Sequence, residues 1–512
     1  MFLKILMMAL FFAATIAIGF FTRKSAKDVD GFVLGSRKVG PWLSAFAYGT
    51  SYFSAVVFIG YAGQFGWKYG MAALWIGLAN AFLGSLLAWY VLGARTRAMT
   101  HHLGAQTMPE FFGKRFESKA LRIASAGIIF IFLIPYTASV YNGLSRLFFM
   151  AFGLPYEYAI VAMALLTCIY VVLGGYMATA VNDFIQGCIM LLGIAAVIVV
   201  VLSGHGGFAQ AVITLSQVPG DASQAAGMQG TFTSMFGPDP LNLLGVIILT
   251  SLGTWGLPQM VQKFYAIKST SSIKRGAIIS TVFALVVAGG SYFLGGFGRL
   301  VGADVALAPN GTPIYDSIVP TLLSNMPDLL IGLTVVLVLS ASMSTLSSLV
   351  LTSSSTLTLD FIKGNFAKKM TERSQLISIR ALIVVFVIIS AVIALVQYNS
   401  SVTFIAQLMS ISWGVLAGSF HAPFLYGLYW KRVTTASVWA CFIFAVGLVC
   451  SNMVFGFIAS PINAGALAML GGLVIVPLVS LITRAPDVQK TDRLFAGSYA
   501  NLHEYPIDPD AK

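Results

Sequence analysis

Three stretches of this chain gather the groups that can hold a small ion or solute away from water. LSASMSTLSSLVLTSSSTLTLDF, from Leu339, is a dense run of hydroxyls, and Ala341, Ser344, Thr345 and Ser348 fall within two helical turns. A main-chain carbonyl and several hydroxyls can therefore share one face. LSAFAYGTSYFSAVVF, from Leu43, carries Gly49, Thr50, Ser51 and Ser54 inside an apolar run, and LTSLGTWGLPQMVQKF, from Leu249, carries Gly253, Gly256 and Pro258. Glycine lets the backbone leave helix geometry and proline blocks a helical bond, so both segments should free carbonyl and amide groups. Carbonyl and hydroxyl oxygens together suit a hard cation such as sodium, with no carboxylate required. The same hydroxyls also suit bonds back to the preceding turn, or from helix to helix.

The elements that place these groups are membrane spans. Of 512 residues 58% are hydrophobic and 9% charged, against about 45–50% and about 25% in soluble domains. Mean hydropathy is +0.86. Collagen-like, disordered, disulfide-rich and nucleic-acid-binding classes are excluded on these figures. A helix crossing the ~30 Å hydrocarbon core needs about 20 apolar residues. Such runs lie at 3–21, 42–64, 70–94, 121–150, 156–176, 182–203, 240–265, 276–299, 322–358, 379–397, 402–428, 435–457 and 463–482. Thirteen spans put the termini on opposite sides. Basic residues alternate with the loops: Arg23, Lys24, Lys27, Arg37 and Lys38, then Arg95 to Arg122, Lys263 to Arg275, Lys363 to Arg380, Lys431-Arg432 and the tail. The opposite side holds only Lys4, Lys68, Arg146 and Arg299 of the 30. The positive-inside rule then predicts an outside N-terminus and a cytoplasmic C-terminus in a plasma membrane. The net charge of +12 follows from this bias and implies a lipid bilayer as partner, with no nucleic acid.

The two interrupted runs are the second and the seventh. Unwound backbone at membrane depth is tolerated where it lines a cavity, and paired interruptions in corresponding positions mark an inverted-repeat transporter. The expected fold is an all-α polytopic membrane protein of about 13 transmembrane helices with a five-plus-five repeat core. Its parts would be an extra first helix and loop (1–41), the first repeat (42–203), an extracellular loop (204–239), the second repeat (240–428), two additional helices (429–483) and a cytoplasmic tail (484–512). The loop is too short and polar for a core of its own, and the tail too small for a nucleotide-binding domain. No GxxxxGK[ST] occurs, so ATP drive and enzymatic activity are not expected. Cys168, Cys188, Cys441 and Cys450 sit in apolar runs without CxxC spacing and read as small hydrophobes. The first run has no small-residue cleavage site after it and reads as a retained span.

Taken jointly, DGFVLGSRKVGPW, GGYMATAVNDFIQG, GLPQMVQKFYA, MSTLSS with LTLDF, and YWKRVTTAS resemble the sodium:solute symporter family over nearly the whole chain. That family holds bacterial proline, sialic acid and galactose symporters and mammalian sodium–glucose carriers, and the proline branch is the nearest. The resemblance implies an APC-type fold and sodium as the coupling ion. It implies a sodium site from the carbonyls of Thr50, Phe53 and Ala341 with the hydroxyls of Ser344 and Thr345. Asp183, with Ser344, Ser347 and Ser348, resembles a second sodium site of the sialic acid branch. Two positions depart from the proline branch: Tyr52 stands where those carriers have an aspartate, and Thr250 where they have a tryptophan.

A solute pocket is expected between the two interruptions, lined by Ser51, Ser54, Tyr136, Ser139, Trp255, Gln259, Gln407 and Ser410. Tyr136 also matches a tyrosine of the proline carriers. No lysine or arginine is expected to face it, and exposed backbone N–H groups at a half-helix end would receive a carboxylate. The pocket suits a small zwitterion such as proline, or a monocarboxylate, moved by alternating access. A sugar, sulfonate or sialic acid-like solute is the alternative. An ion channel would need a carbonyl filter or charged ring, and a membrane sensor an appended signalling domain; neither is legible.

Overall fold

The computed structural model describes residues 2–220, 227–308, 311–324, 326–399 and 405–503, so positions 402–404 of the eleventh predicted run lie outside it. No strand occurs among these residues, and eleven helices are long and apolar enough to cross a membrane. Two of them are too long for one crossing. After α1 (Phe2–Thr22) and α2 (Pro41–Tyr52), α3 (Val56–His102) has 47 residues; after α4 (Lys119–Phe152), α5 (Tyr156–Gly204) has 49. At 1.5 Å per residue each is about 70 Å long, more than twice the ~30 Å core. Each leaves helical geometry at one glycine: Gly70 (φ 59°, ψ −136°) and Gly175 (φ 55°, ψ −145°). A Cβ on Gly70 would stand 2.1 Å from the Phe232 carbonyl oxygen, and one on Gly175 2.7 Å from that of Phe32. Both corners therefore need glycine for conformation and for space. α3 carries the end of the second predicted run and the whole third; α5 carries the fifth and sixth.

The seventh run is two helices. α6 (Pro240–Leu252) gives way to a tight turn over Gly253–Trp255, Leu257 is extended (φ −77°, ψ 121°), and α7 (Pro258–Ala266) starts on its proline. In the second run α2 stops at Phe53, also extended (φ −91°, ψ 121°), before α3 begins. The interruptions thus share one backbone form. α8 (Thr270–Gly295), α9 (Asp328–Thr356), α10 (Glu372–Asn399), α11 (Ile405–Tyr429), α12 (Thr435–Phe455), α13 (Pro461–Ile482) and a tail helix, α14 (Val488–His503), complete the bundle.

Charge separates along the bundle. At the N-terminal face Lys4 pairs with Asp328 at 2.8 Å, Lys68 lies over Tyr315, and Arg299 lies between Trp67 and Phe232. At the tail face Lys114 pairs with Glu110, Arg122 with Asp360, Lys431 with Asp492 and Lys490 with Glu117. The connection 204–239, expected as a plain loop, contains a helix over Gly207–Ser216. Ala211, Leu215 and Phe232 of this connection pack against Leu202 and Phe297, so it closes onto the bundle.

Candidate functional site

The break after α2 frees the last carbonyls of that helix, and α9 meets them with its hydroxyls. Ser344 Oγ lies 3.0 Å from the Thr50 carbonyl oxygen and 3.0 Å from that of Ala341. Thr345 Oγ1 lies 3.3 Å from Thr50 O, 3.2 Å from Phe53 O and 3.2 Å from Ala341 O. Ser344 and Thr345 are fully buried. The five oxygens expected around sodium therefore face one another with two hydroxyl protons among them, and Ser51 O stands beside them, 3.4 Å from Thr345 Oγ1. Each proton serves one acceptor well, so the cluster is short of positive charge in a place water does not reach. A cation held at about 2.3–2.6 Å by oxygens, as calcium is, needs oxygens at such mutual separations, and the donor set fits a hard monovalent ion. The hydroxyls do bond back to the preceding turn, through Ala341, but they also span to the facing helix.

The second set is drawn together around a residue the sequence reading placed elsewhere. Lys263 was expected in a loop and no basic side chain near the site; instead it lies inside α7, 3% exposed. The loop count failed because the half-helix turns its last basic residue inward. Lys263 Nζ donates to Ser348 Oγ at 3.0 Å and stands 4.0 Å from Asp183 Oδ2. Ser348 Oγ is also 2.8 Å from Ser51 Oγ, and Ser347 Oγ donates to Ser344 O at 2.9 Å. Asp183 is fully buried, and neither carboxylate oxygen has a hydrogen-bond partner. An ammonium thus stands among the groups expected around a second sodium.

The expected solute residues divide. Ser51 turns to Ser348 and to the Ala47 carbonyl, on the ion side. Ser54 Oγ accepts from Val56 N–H and caps the start of α3; Ser139 Oγ donates to Tyr136 O in its own helix. Trp255 Nε1 donates to Leu83 O, while Gln259, 1% exposed, has both side-chain polar atoms unpartnered. Tyr136 lies edge-on to Trp413 at 5.9 Å, and Tyr52 lies 5.9 Å from the same ring. The Tyr52 hydroxyl is buried without a partner, and the Tyr136 hydroxyl and Trp413 Nε1 turn toward each other and Ser54 without completing a hydrogen bond. Buried donors without acceptors are costly unless a ligand completes them, so these three point to an acceptor-bearing guest. Trp413 was missed because a tryptophan in an apolar run ordinarily packs; its place two turns after Gln407 and one after Ser410 was the available signal.

Gln407 lines a cavity of about 540 Å³ open to the N-terminal face, with Gln64, Lys68, Tyr315 and Asn452. One turn deeper on both helices, the Tyr61 hydroxyl and Ser410 Oγ are 3.0 Å apart. This contact joins α3 to α11 beneath Gln64 and Gln407.

A family profile described as the sodium:solute symporter family matches residues 32–444. The osmoregulated proline transporter OpuE of Bacillus subtilis (strain 168) is 28% identical over 96% of this chain and 97% of its own. A sodium/proline symporter of Staphylococcus aureus (strain JH9) is 31% identical over 84% of this chain and 82% of its own. Among solved structures, a sodium-coupled sialic acid symporter in a substrate-bound outward-open state superposes with a TM-score of 0.74 at 18% identity, covering 95% of this chain and 99% of the other. Mhp1, a nucleobase-cation-symport-1 family transporter in a closed conformation, gives 0.51 at 13%, covering 92% and 98%. Both show shared fold.

Proposed function

From the premise that the chain belongs to the sodium:solute symporter family, we propose how its own residues bind ion and solute. The protein is a multi-pass membrane symporter that couples sodium to the movement of a small solute. The observation that carries the ion site is the set of five oxygens sharing two protons. Thr50, Phe53 and Ala341 hold sodium through their carbonyls, and Ser344 and Thr345 through their hydroxyls. Asp183 needs a balancing charge at its depth, and the Lys263 ammonium supplies it through the place that Ser347 and Ser348 offer a second sodium. One sodium therefore moves with each solute.

The solute is a small amino acid or monocarboxylate, as the names of the proline-transporting relatives suggest. Its carboxylate takes the Tyr52, Tyr136 and Trp413 donors, Gln259 takes a further polar group, and the ring faces cover its apolar part. Trp255 and Ser54 border the space, Ser139 supports Tyr136, and Ser410 with Gln407 lies on the approach. The protein sits in a bacterial plasma membrane with the Lys4 face outside, so uptake runs inward from the cavity beside Gln64. Sodium entering the cell contributes about 2.3 kcal/mol per charge per 100 mV.

Uptake by purified protein in liposomes tests this reading. With proline, other small amino acids and monocarboxylates as probes, accumulation should require an inward sodium gradient and show a single-site sodium dependence. Accumulation independent of the gradient would overturn the coupling; a two-site dependence would overturn the part given to Lys263.

A further inference from the structure

A cavity of about 780 Å³ opens at the tail face between the end of α1, the middle of α5 and the start of α10. Arg23, Lys24 and Lys27 enter from the segment after α1, and Arg373 and Arg380 from α10; no carboxylate lines it. None of the five takes part in a salt bridge among the described residues, whereas Lys114, Arg122, Lys431 and Lys490 at the same face each have an acid partner. Arg380 is held in place, with Nη2 donating to Ala26 O at 3.5 Å and its plane over Phe32, yet its buried Nε has no partner. Five cations in one recess repel one another unless an anion enters.

The walls between these cations are apolar: Val172, Leu173, Leu376 and Ile377. Ile377 is 57% exposed, and Phe20 and Phe21 beside the rim are also exposed, as side chains facing acyl chains would be. A soluble phosphate would meet the cations and leave this surface bare. A phospholipid satisfies both, with its headgroup among the cations and its chains along α1 and α10. We propose that this recess is a binding site for an anionic phospholipid of the cytoplasmic leaflet, joining α1 to α10 beside the Gly175 corner.

The lipid side of the inference assumes the membrane orientation given above, but its test reads binding and does not depend on sodium-driven uptake. The full chain, purified in detergent, is titrated with cardiolipin, phosphatidylglycerol and phosphatidylcholine while bound lipid is counted by native mass spectrometry and thermal stability is followed. The two anionic lipids should bind and raise the melting temperature, cardiolipin most, and phosphatidylcholine should not. In Lys24→Gln/Lys27→Gln/Arg373→Gln, all exposed positions, binding should weaken on the order of 10²-fold, since each basic residue near anionic lipid counts for a factor of about five. Lys114→Gln/Lys490→Gln, whose cations are already paired, should keep it. Equal stabilisation by phosphatidylcholine, an unaltered response in the triple variant, or full reproduction of the effect by glycerol phosphate or inorganic phosphate would each overturn the proposal.

Discussion

The two broken helices share a backbone and differ in what surrounds it. Around the first break the carbonyls of Thr50 and Phe53 meet hydroxyls that cannot supply a proton to each of them. Around the second, the chain is closed by its own groups. Thr254 Oγ1 donates to Ser251 O at 2.9 Å and Gly256 N–H to Gly253 O at 3.0 Å, while Gly253 and Gly256 lie against Trp413, Ala417 and His421. Sequence alone treats the two interruptions alike, both marked by glycine and only the second by proline. Proline and glycine report where a helix can stop; the facing helix decides whether the freed groups wait for a ligand.

The comparison breaks most visibly if the first break is deprived of its hydroxyls. Ser344→Ala/Thr345→Ala removes two of five oxygens, each worth on the order of 1.5–3 kcal/mol toward a charge, so sodium affinity should fall by about 10²-fold or more. Solute affinity should fall with it through coupling and return at saturating sodium. Sodium titration of the purified variant checks this, and an unchanged curve would remove the first break from the ion site. A smaller effect is expected where the breaks adjoin the aromatic cluster. Tyr52→Phe or Trp413→Phe deletes or displaces one donor to a carboxylate, about 1.5–3 kcal/mol, and should weaken solute binding about tenfold or more with the sodium curve of the solute-free protein unmoved. Calorimetric titration of both ligands separates these outcomes; a matching loss of sodium affinity would mean the two regions are not distinct. The least effect on ligands belongs to Gly256→Ala. Its Cβ would stand 2.7 Å from the His421 backbone nitrogen, so overpacking should lower stability by about 1–3 kcal/mol and leave sodium affinity intact. Denaturant unfolding beside the sodium titration measures both, and a weakened sodium site would show that the second break also binds the ion.

Apolar runs of about 20 residues are long-range signals set by bilayer thickness, and the helices observed follow them closely. What the pattern could not supply was the pair of glycine corners. Gly175 sits inside an unbroken helical-looking stretch, and only the nearness of Phe32, distant in sequence, shows why no side chain fits there. The oxygen cluster was legible because Ala341, Ser344 and Thr345 are local to one helix and their spacing fixes a face. Lys263 was not, because charge counting assigns a cation at a helix end to the loop, and its partners Asp183 and Ser348 come from two other helices. Tyr52, Tyr136 and Trp413 likewise come from three separate helices, and their unmet donors exist only in the assembled structure.

The closure above the aromatic cluster carries a kinetic meaning. One hydroxyl-to-hydroxyl contact, Tyr61 to Ser410, joins α3 to α11 beneath the cavity at the N-terminal face. Toward the tail face α7 is tied by Val39 N–H to Ala266 O, Lys268 N–H to Val39 O, Gln262 to Val33 O, and Thr352 to Gln262. At about 0.5–1.5 kcal/mol net per bond, the first seal amounts to a factor of about 2–12 in population, and the second set, broken together, to about 2–6 kcal/mol. Counted on these bonds, the tie toward the Lys4 face is the weaker and the tie toward the tail face the stronger. With uptake running inward from the Lys4 face as proposed, unfastening α7 would be the costlier step of a cycle, at the end of the molecule farthest from where the cargo enters.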